Sequence, residues 1–160
     1  MKMETIPIRK NIRLRDWDYG NPGHYFVTMC TSGKKCMLWS PEGMQLSQPY
    51  LSDIGMIVNS EISKTNTIYT NISIDKYVVM PNHVHMIIYI AYDAQVVGKT
   101  TSISNIINHF KGSVTKQVGR PIWQLRFHDH IIRNERKYNE IWQYIDTNPQ
   151  NWRKDCFFTE

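Results

Sequence analysis

His83 and His85 stand one residue apart inside Tyr77-Val78-Val79-Met80-Pro81-Asn82-His83-Val84-His85-Met86-Ile87-Ile88-Tyr89-Ile90, a run that is otherwise apolar and β-prone. Residues i and i+2 of a strand point to the same face. An extended run therefore sets the two imidazoles side by side and turns Val84 and Met86 the other way. Neutral imidazole is the commonest protein ligand for divalent ions, which makes the pair a candidate metal site. Further along, Tyr144 and Asn148 lie one helical turn apart and share a face, with Ile141 and Ile145 marking an apolar side beside them. A tyrosine at such an edge is by default a packing residue whose hydroxyl finds a partner, so the helix alone does not make it a nucleophile. A second His-x-His, His128 and His130 around Asp129, offers either a metal or phosphate contact or a polar strand edge.

The elements that must hold these residues show in the periodicity. Residues 24–31 are aromatic and β-branched and follow the turn cluster Gly20-Asn21-Pro22-Gly23, which predicts a first strand. Leu51, Ile54, Val58 and Ile62 recur at helical spacing, with Ser47 or Ser52 available as a cap. Residues 72–80 and 84–90 read as two antiparallel strands or one long bent strand, interrupted at Pro81-Asn82. Ile103, Ile106, Ile107, Phe110 and Val114 form the apolar face of a helix reaching to about Val118, on which His109 reads as structural. A short aromatic stretch over 123–130 follows, and then a helix opening at Asn134 or Glu135 and stopped by Asn148-Pro149. Strands and helices in this order predict an α+β, ferredoxin-like (RRM-like) antiparallel sheet with helices packed on it.

The 160 residues, 41% hydrophobic and 12% aromatic, suit one domain over 1–160 with a core of its own. Three cysteines without Cys-x-x-Cys spacing argue against a disulfide framework or a structural zinc site and point to a reducing, cytoplasmic setting. No run approaches the ~20 apolar residues of a membrane span, and no membrane partner is expected. Net charge is +5, and the excess is concentrated in a basic arm over residues 1–20. There Arg9, Lys10, Arg13 and Arg15 precede Trp17, a mix that suits phosphate contacts and base stacking on a nucleic acid as well as a solvated tail.

Taken together, three ordered blocks resemble the HUH single-tyrosine transposases, and among them most the REP-associated tyrosine transposases. The blocks are residues 78–88 around His83-Val84-His85, residues 123–134 from Trp123 to Asn134, and residues 141–149 around Tyr144 and Asn148. The stretch from Arg9 to Tyr19 leading into Tyr25-Phe26-Val27-Thr28 fits the same pattern. The resemblance implies that His83 and His85 are the HUH histidines, that Tyr144 is the nucleophile and that Asn148 completes the metal site. Relatives often carry Gln at the comparable position, so Asn148 departs from the pattern. His128 and His130 fall outside the metal motif on this reading. It further implies Mg²⁺ or Mn²⁺, a single-stranded DNA partner with a hairpin, and strand nicking and joining through a 5′-phosphotyrosine. Family relatives occur as monomers and as homodimers that exchange the tyrosine helix. A nucleic-acid-binding regulator on the same fold, without significant catalysis, is the alternative. A phosphodiester hydrolase of the two-histidine kind needs a third histidine directly after His85 or a second His-x-Thr/Ser block, and this chain has neither.

Overall fold

The computed structural model describes residues 17–92 and 101–159. Strands β1 (Gly23–Cys30), β2 (Ile72–Val79), β3 (His83–Ile90) and β4 (His128–Ile132) form an antiparallel sheet in the order β2-β3-β1-β4. After β1 come a short helix α1 (Pro41–Leu46) and α2 (Asp53–Ile68), which leads into β2. Helix α3 (Ile103–Val118) joins β3 to β4, and α4 (Glu135–Thr147) follows β4 and continues into a 3-10 turn over Pro149–Lys154. This is the ferredoxin-like α+β arrangement that the order of elements predicts, with β2 and β3 paired as two strands rather than one bent one. No helix among the described residues is long and apolar enough to cross a membrane. Arg9, Lys10, Arg13 and Arg15 of the basic arm lie outside the described residues.

Local chemistry sets the ends of these elements. Ser52, Ser102 and Asn134 each accept a backbone N–H of the first turn of α2, α3 and α4, satisfying donors that the helix itself leaves unpaired. Gly119 closes α3 in the left-handed region at φ +81°, which glycine adopts without steric cost. Pro149, lacking an N–H, ends the regular part of α4. Helix α2 runs six residues past the apolar periodicity, because the face that carries Val58 and Ile62 goes on as buried Thr65. The Thr65 hydroxyl donates to the Glu61 carbonyl one turn back, so a polar residue keeps that face packed. The aromatic stretch expected from Trp123 onward becomes strand only at His128. Before it, the Lys111 ammonium donates to the Gln124 and Arg126 carbonyls, which removes them from any ladder.

The sheet divides its side chains by parity. Tyr25, Val27 and Met29 on β1 and Val84, Met86, Ile88 and Ile90 on β3 face α2 and α3, where they form the main core with Val58, Ile62, Ile106, Phe110 and Val114. Each such side chain contributes ~1.5–3 kcal/mol by leaving water. On the opposite face Ile87 and Ile132 meet Ile141 and Ile145 of α4. A third cluster, Trp39, Met80 and Trp152, ties the β2–β3 turn to the 3-10 segment after α4. Close approach demands glycine most sharply at Gly55, where a Cβ would stand 2.0 Å from the Leu38 carbonyl oxygen.

Candidate active site

Strand β3 is flanked on both sides, and its first and third residues are His83 and His85, 0% and 1% exposed. Their rings lie 4.5 Å apart on the α4 side of the sheet, while Val84 and Met86 enter the main core. Asn82 fixes the state of His83. Its amide group donates to the Lys34 and Phe157 carbonyls, which leaves its Oδ1 to accept from His83 Nδ1 at 2.8 Å. The proton is therefore on Nδ1, and Nε2 keeps its lone pair. That Nε2 is buried with no hydrogen-bond partner among the described residues. His85 is anchored by Thr28 on the neighbouring strand, whose Oγ1 lies 2.7 Å from Nδ1. With Nδ1 held in this way, Nε2 of His85 is also directed into the site.

Helix α4 brings Tyr144 to the same place. Its hydroxyl lies 3.3 Å from His85 Nε2 and donates at 3.4 Å to Asp155 Oδ2. Asn148, whose backbone continues the helical conformation one turn later, donates from Nδ2 to the same carboxylate oxygen at 2.9 Å. The other oxygen of Asp155 accepts the Phe157 N–H at 2.7 Å, so the carboxylate is held from two sides. His83 Nε2 stands 3.9 Å from Asp155 Oδ2, too far for a hydrogen bond. Ligand atoms of His83, His85 and Asp155 all lie within 4.8 Å of one another, a grouping that fits a metal site. The unpartnered His83 Nε2 and the equally unpartnered, buried Asn148 Oδ1 are the sort of atoms a cation would satisfy. Each costs ~1–3 kcal/mol if left bare.

Electrostatics support the same arrangement. Burial pushes His83 down to about 3, with the Lys34 charge adding to it. Burial and the neighbouring His83 hold His85 well below the ordinary histidine value, against the opposing pull of Asp155. Both imidazoles are thus neutral across the physiological range, which is the ligating form. The Tyr144 phenol is pushed up to about 12, first by burial and then by the Asp155 carboxylate. In this state it is a protonated hydroxyl that needs nearby positive charge to become a nucleophile.

The structure brings together His83, His85, Tyr144 and Asn148, four residues drawn from two distant stretches of the chain. Trp17 is placed elsewhere: its indole donates to the Tyr25 hydroxyl at 3.2 Å and packs against the main core, where Tyr25 is fully buried. His128 and His130 lie on the edge strand, both half-buried. His109 is exposed and meets the edge of Tyr69. Sequence reasoning missed Asp155, Asn82 and Thr28. Asn82 carried the clearest signal, a polar residue directly before the first histidine inside an apolar run.

No family model matches the chain. An uncharacterized protein of Haemophilus influenzae is 30% identical over 174 residues, spanning 95% of this chain and 94% of the relative. Among solved structures, a REP-associated tyrosine transposase bound to a REP hairpin superposes with a TM-score of 0.63 at 24% identity, covering 88% of this chain and 74% of that one. The chain belongs to one family with the Haemophilus influenzae protein, and it is built on the fold of the REP-associated tyrosine transposase.

Proposed function

We propose that the protein nicks and rejoins single-stranded DNA carrying a hairpin, as a single-tyrosine HUH enzyme with Tyr144 as nucleophile. The observation that carries this reading is the placement of the Tyr144 hydroxyl 3.3 Å from His85 Nε2, beside the buried bare Nε2 of His83. The likeness in fold to a transposase that binds a REP hairpin supports the choice of DNA.

A phosphodiester is an anionic electrophile, so cleavage needs its charge neutralised and a nucleophile held in line with the departing oxygen. His83, His85 and Asp155, with Asn148 Oδ1 as a further oxygen donor, would hold a divalent cation such as Mg²⁺ or Mn²⁺, which would supply that neutralising charge. Asn82 and Thr28 keep the two imidazoles in the ligating orientation. Tyr144 Oη attacks phosphorus and gives up its proton, the bond to the 3′-oxygen breaks and that oxygen takes a proton from water to leave as a 3′-hydroxyl, and the 5′-phosphate stays joined to the tyrosine. The phenol proton is already directed at Asp155 Oδ2. Rejoining reverses these steps with a 3′-hydroxyl as attacker, because the phosphotyrosine conserves the bond. Tyr144 reaches His85 of its own chain, so the reaction is proposed to run within one subunit.

End-labelled single-stranded hairpin DNA incubated with the protein and Mg²⁺ or Mn²⁺ is expected to yield a covalent adduct on a denaturing gel. Tyr144→Phe is expected to abolish it. An adduct of undiminished yield from Tyr144→Phe sinks the assignment of the nucleophile.

A further inference from the structure

A cleft of about 470 Å³ opens beside the first turns of α4, and none of the reacting groups lines it. Its walls carry Arg133, Arg136 and Lys137, opposed there by one acidic side chain, Glu140, with His130 of β4 at its inner edge. We infer that this cleft grips the sugar-phosphate backbone of the DNA strand next to the bond that Tyr144 attacks; the inference rests on the function proposed above.

Three features of the fold support it. First, α4 has its main packing over β2 and β3 and reaches the β1–β4 half at His24, Phe26 and Ile132, while His130 stays half-buried at the edge of the cleft. The His130 end of β4 is therefore the part of this sheet face on which a strand of nucleic acid can lie. Second, floor and active site are continuous. Phe26 of β1 meets the His130 ring at 5.3 Å on one side and the His85 and Tyr144 rings at 5.3 and 6.3 Å on the other. Bases set down along this row have aromatic faces and edges to contact. Third, Lys137, Glu140 and Tyr144 are spaced three and four residues apart, so one face of α4 leads from the cleft to the nucleophile.

The cations are available for this role. Among the described residues, the Arg136 and Lys137 side chains pair with the Glu140 carboxylate, at 3.1 and 3.4 Å, in exposed pairs between neighbouring turns. Such pairs are weak in water and yield to a phosphate. Arg133 stands exposed on the same rim, and a guanidinium suits bidentate phosphate contact. An acidic polypeptide is the competing occupant of a basic cleft, but it gives no reason for the track to end at a phosphate-cleaving tyrosine.

The test is fluorescence anisotropy of the full chain with a labelled single-stranded hairpin oligonucleotide, in chelator so that no chemistry intervenes, across a salt series. Substituting Arg133→Gln, Arg136→Gln and Lys137→Gln together is expected to weaken binding at least tenfold. The slope of log affinity against log salt should fall by about 2, at about 0.7 per lost contact on a single strand. Glu140→Gln is expected to tighten binding several-fold, an opposite sign that a merely damaged fold cannot produce. All four residues are exposed, and unchanged circular dichroism melting checks that the fold is kept. Wild-type binding with no loss of affinity or slope in the triple variant overturns the cleft and leaves the nicking reading standing. Failure of the wild type to bind the oligonucleotide overturns both. Displacement of the DNA by polyglutamate at equal charge concentration assigns the cleft to acidic polypeptides and also overturns it.

Discussion

The sheet carries two His-x-His pairs on one face, and they behave differently. The register sets His128 opposite Thr28, Thr28 opposite His85, and Phe26 opposite both Ile87 and His130, so all of these side chains project toward the α4 side. On β3, which has a neighbour on each side, the histidines are fully buried and anchored through Nδ1 by Asn82 and Thr28. On β4, at the edge, the same spelling yields half-buried rings beside an open cleft. What separates the central pair, which fits a metal site, from the edge pair is then neither the motif nor the face. The position of the strand in the sheet separates them, because neighbours on both sides bury the β3 imidazoles while Asn82 and Thr28 hold their Nδ1 atoms.

The largest expected effect breaks the comparison at the chemistry. His83→Ala or His85→Ala should lower adduct formation by ~10³-fold or more, as removal of a ligand from a metal-assisted site does. His130→Gln at saturating DNA should stay within a few-fold of wild type. A gel assay run in parallel on the three variants reads the contrast, and equal losses in all three would erase the distinction between the strands. Under the proposed use of each chain's own tyrosine, an equal mixture of His83→Ala and Tyr144→Phe should remain inactive; recovery of the adduct would show exchange between subunits.

The contrast also explains what was legible in the sequence. Parity along β3 and spacing along α4 are local properties, so the faces of His83, His85, Tyr144 and Asn148 could be read before any fold was known. Their meeting could not be read from spacing, since fifty-eight residues separate His85 from the stretch that follows Gln143; the resemblance to a known family supplied it. Thr28 was invisible because a cross-strand partner depends on register, which no single strand encodes. Asp155 was invisible for another reason. It follows a 3-10 turn with no apolar period, and its approach depends on Trp152 packing with Trp39 and Met80. The elements that periodicity handled best, α3 and β3, bury continuous apolar faces. Where polar groups took over, as at Thr65 in α2 or the lysine-held carbonyls before β4, the boundaries shifted.

A smaller effect is expected in stability against pH. His83 in the folded chain is pushed down to about 3, whereas in the unfolded chain it returns to the ordinary range near 6.5. Between those values the unfolded state binds more protons, so this contribution is fully present above about pH 6.5 and is lost as pH falls toward 3. The slope approaches about 1.4 kcal/mol per pH unit for each such histidine. His85, held down by burial and by His83, adds to the same loss. Urea unfolding between pH 7.5 and 4.5, in chelator, should show the decline. His83→Gln should flatten it more than His130→Gln does, because the edge histidine is only half-buried. A wild-type profile that is flat through this window would mean that the central pair is not buried neutral.

The smallest expected effect isolates the anchor from the ligand. Thr28→Val keeps the shape of the side chain and removes the hydroxyl that holds His85 Nδ1 at 2.7 Å. The imidazole keeps its place between Phe26 and Tyr144, whose rings stand 5.3 and 5.2 Å away, but loses its hydrogen bond at Nδ1. Outer partners of this kind are typically worth ~10–100-fold in metal affinity. Calorimetric titration with Mn²⁺ should therefore show weaker binding by about that factor while the apolar core, on the other side of β1, leaves the melting temperature nearly unchanged. Thr28→Ser should restore the affinity, since it returns the hydroxyl. If Thr28→Val binds Mn²⁺ as tightly as wild type, burial alone orients His85. The advantage of the central strand would then lie in exclusion of water and not in the neighbour's hydroxyl.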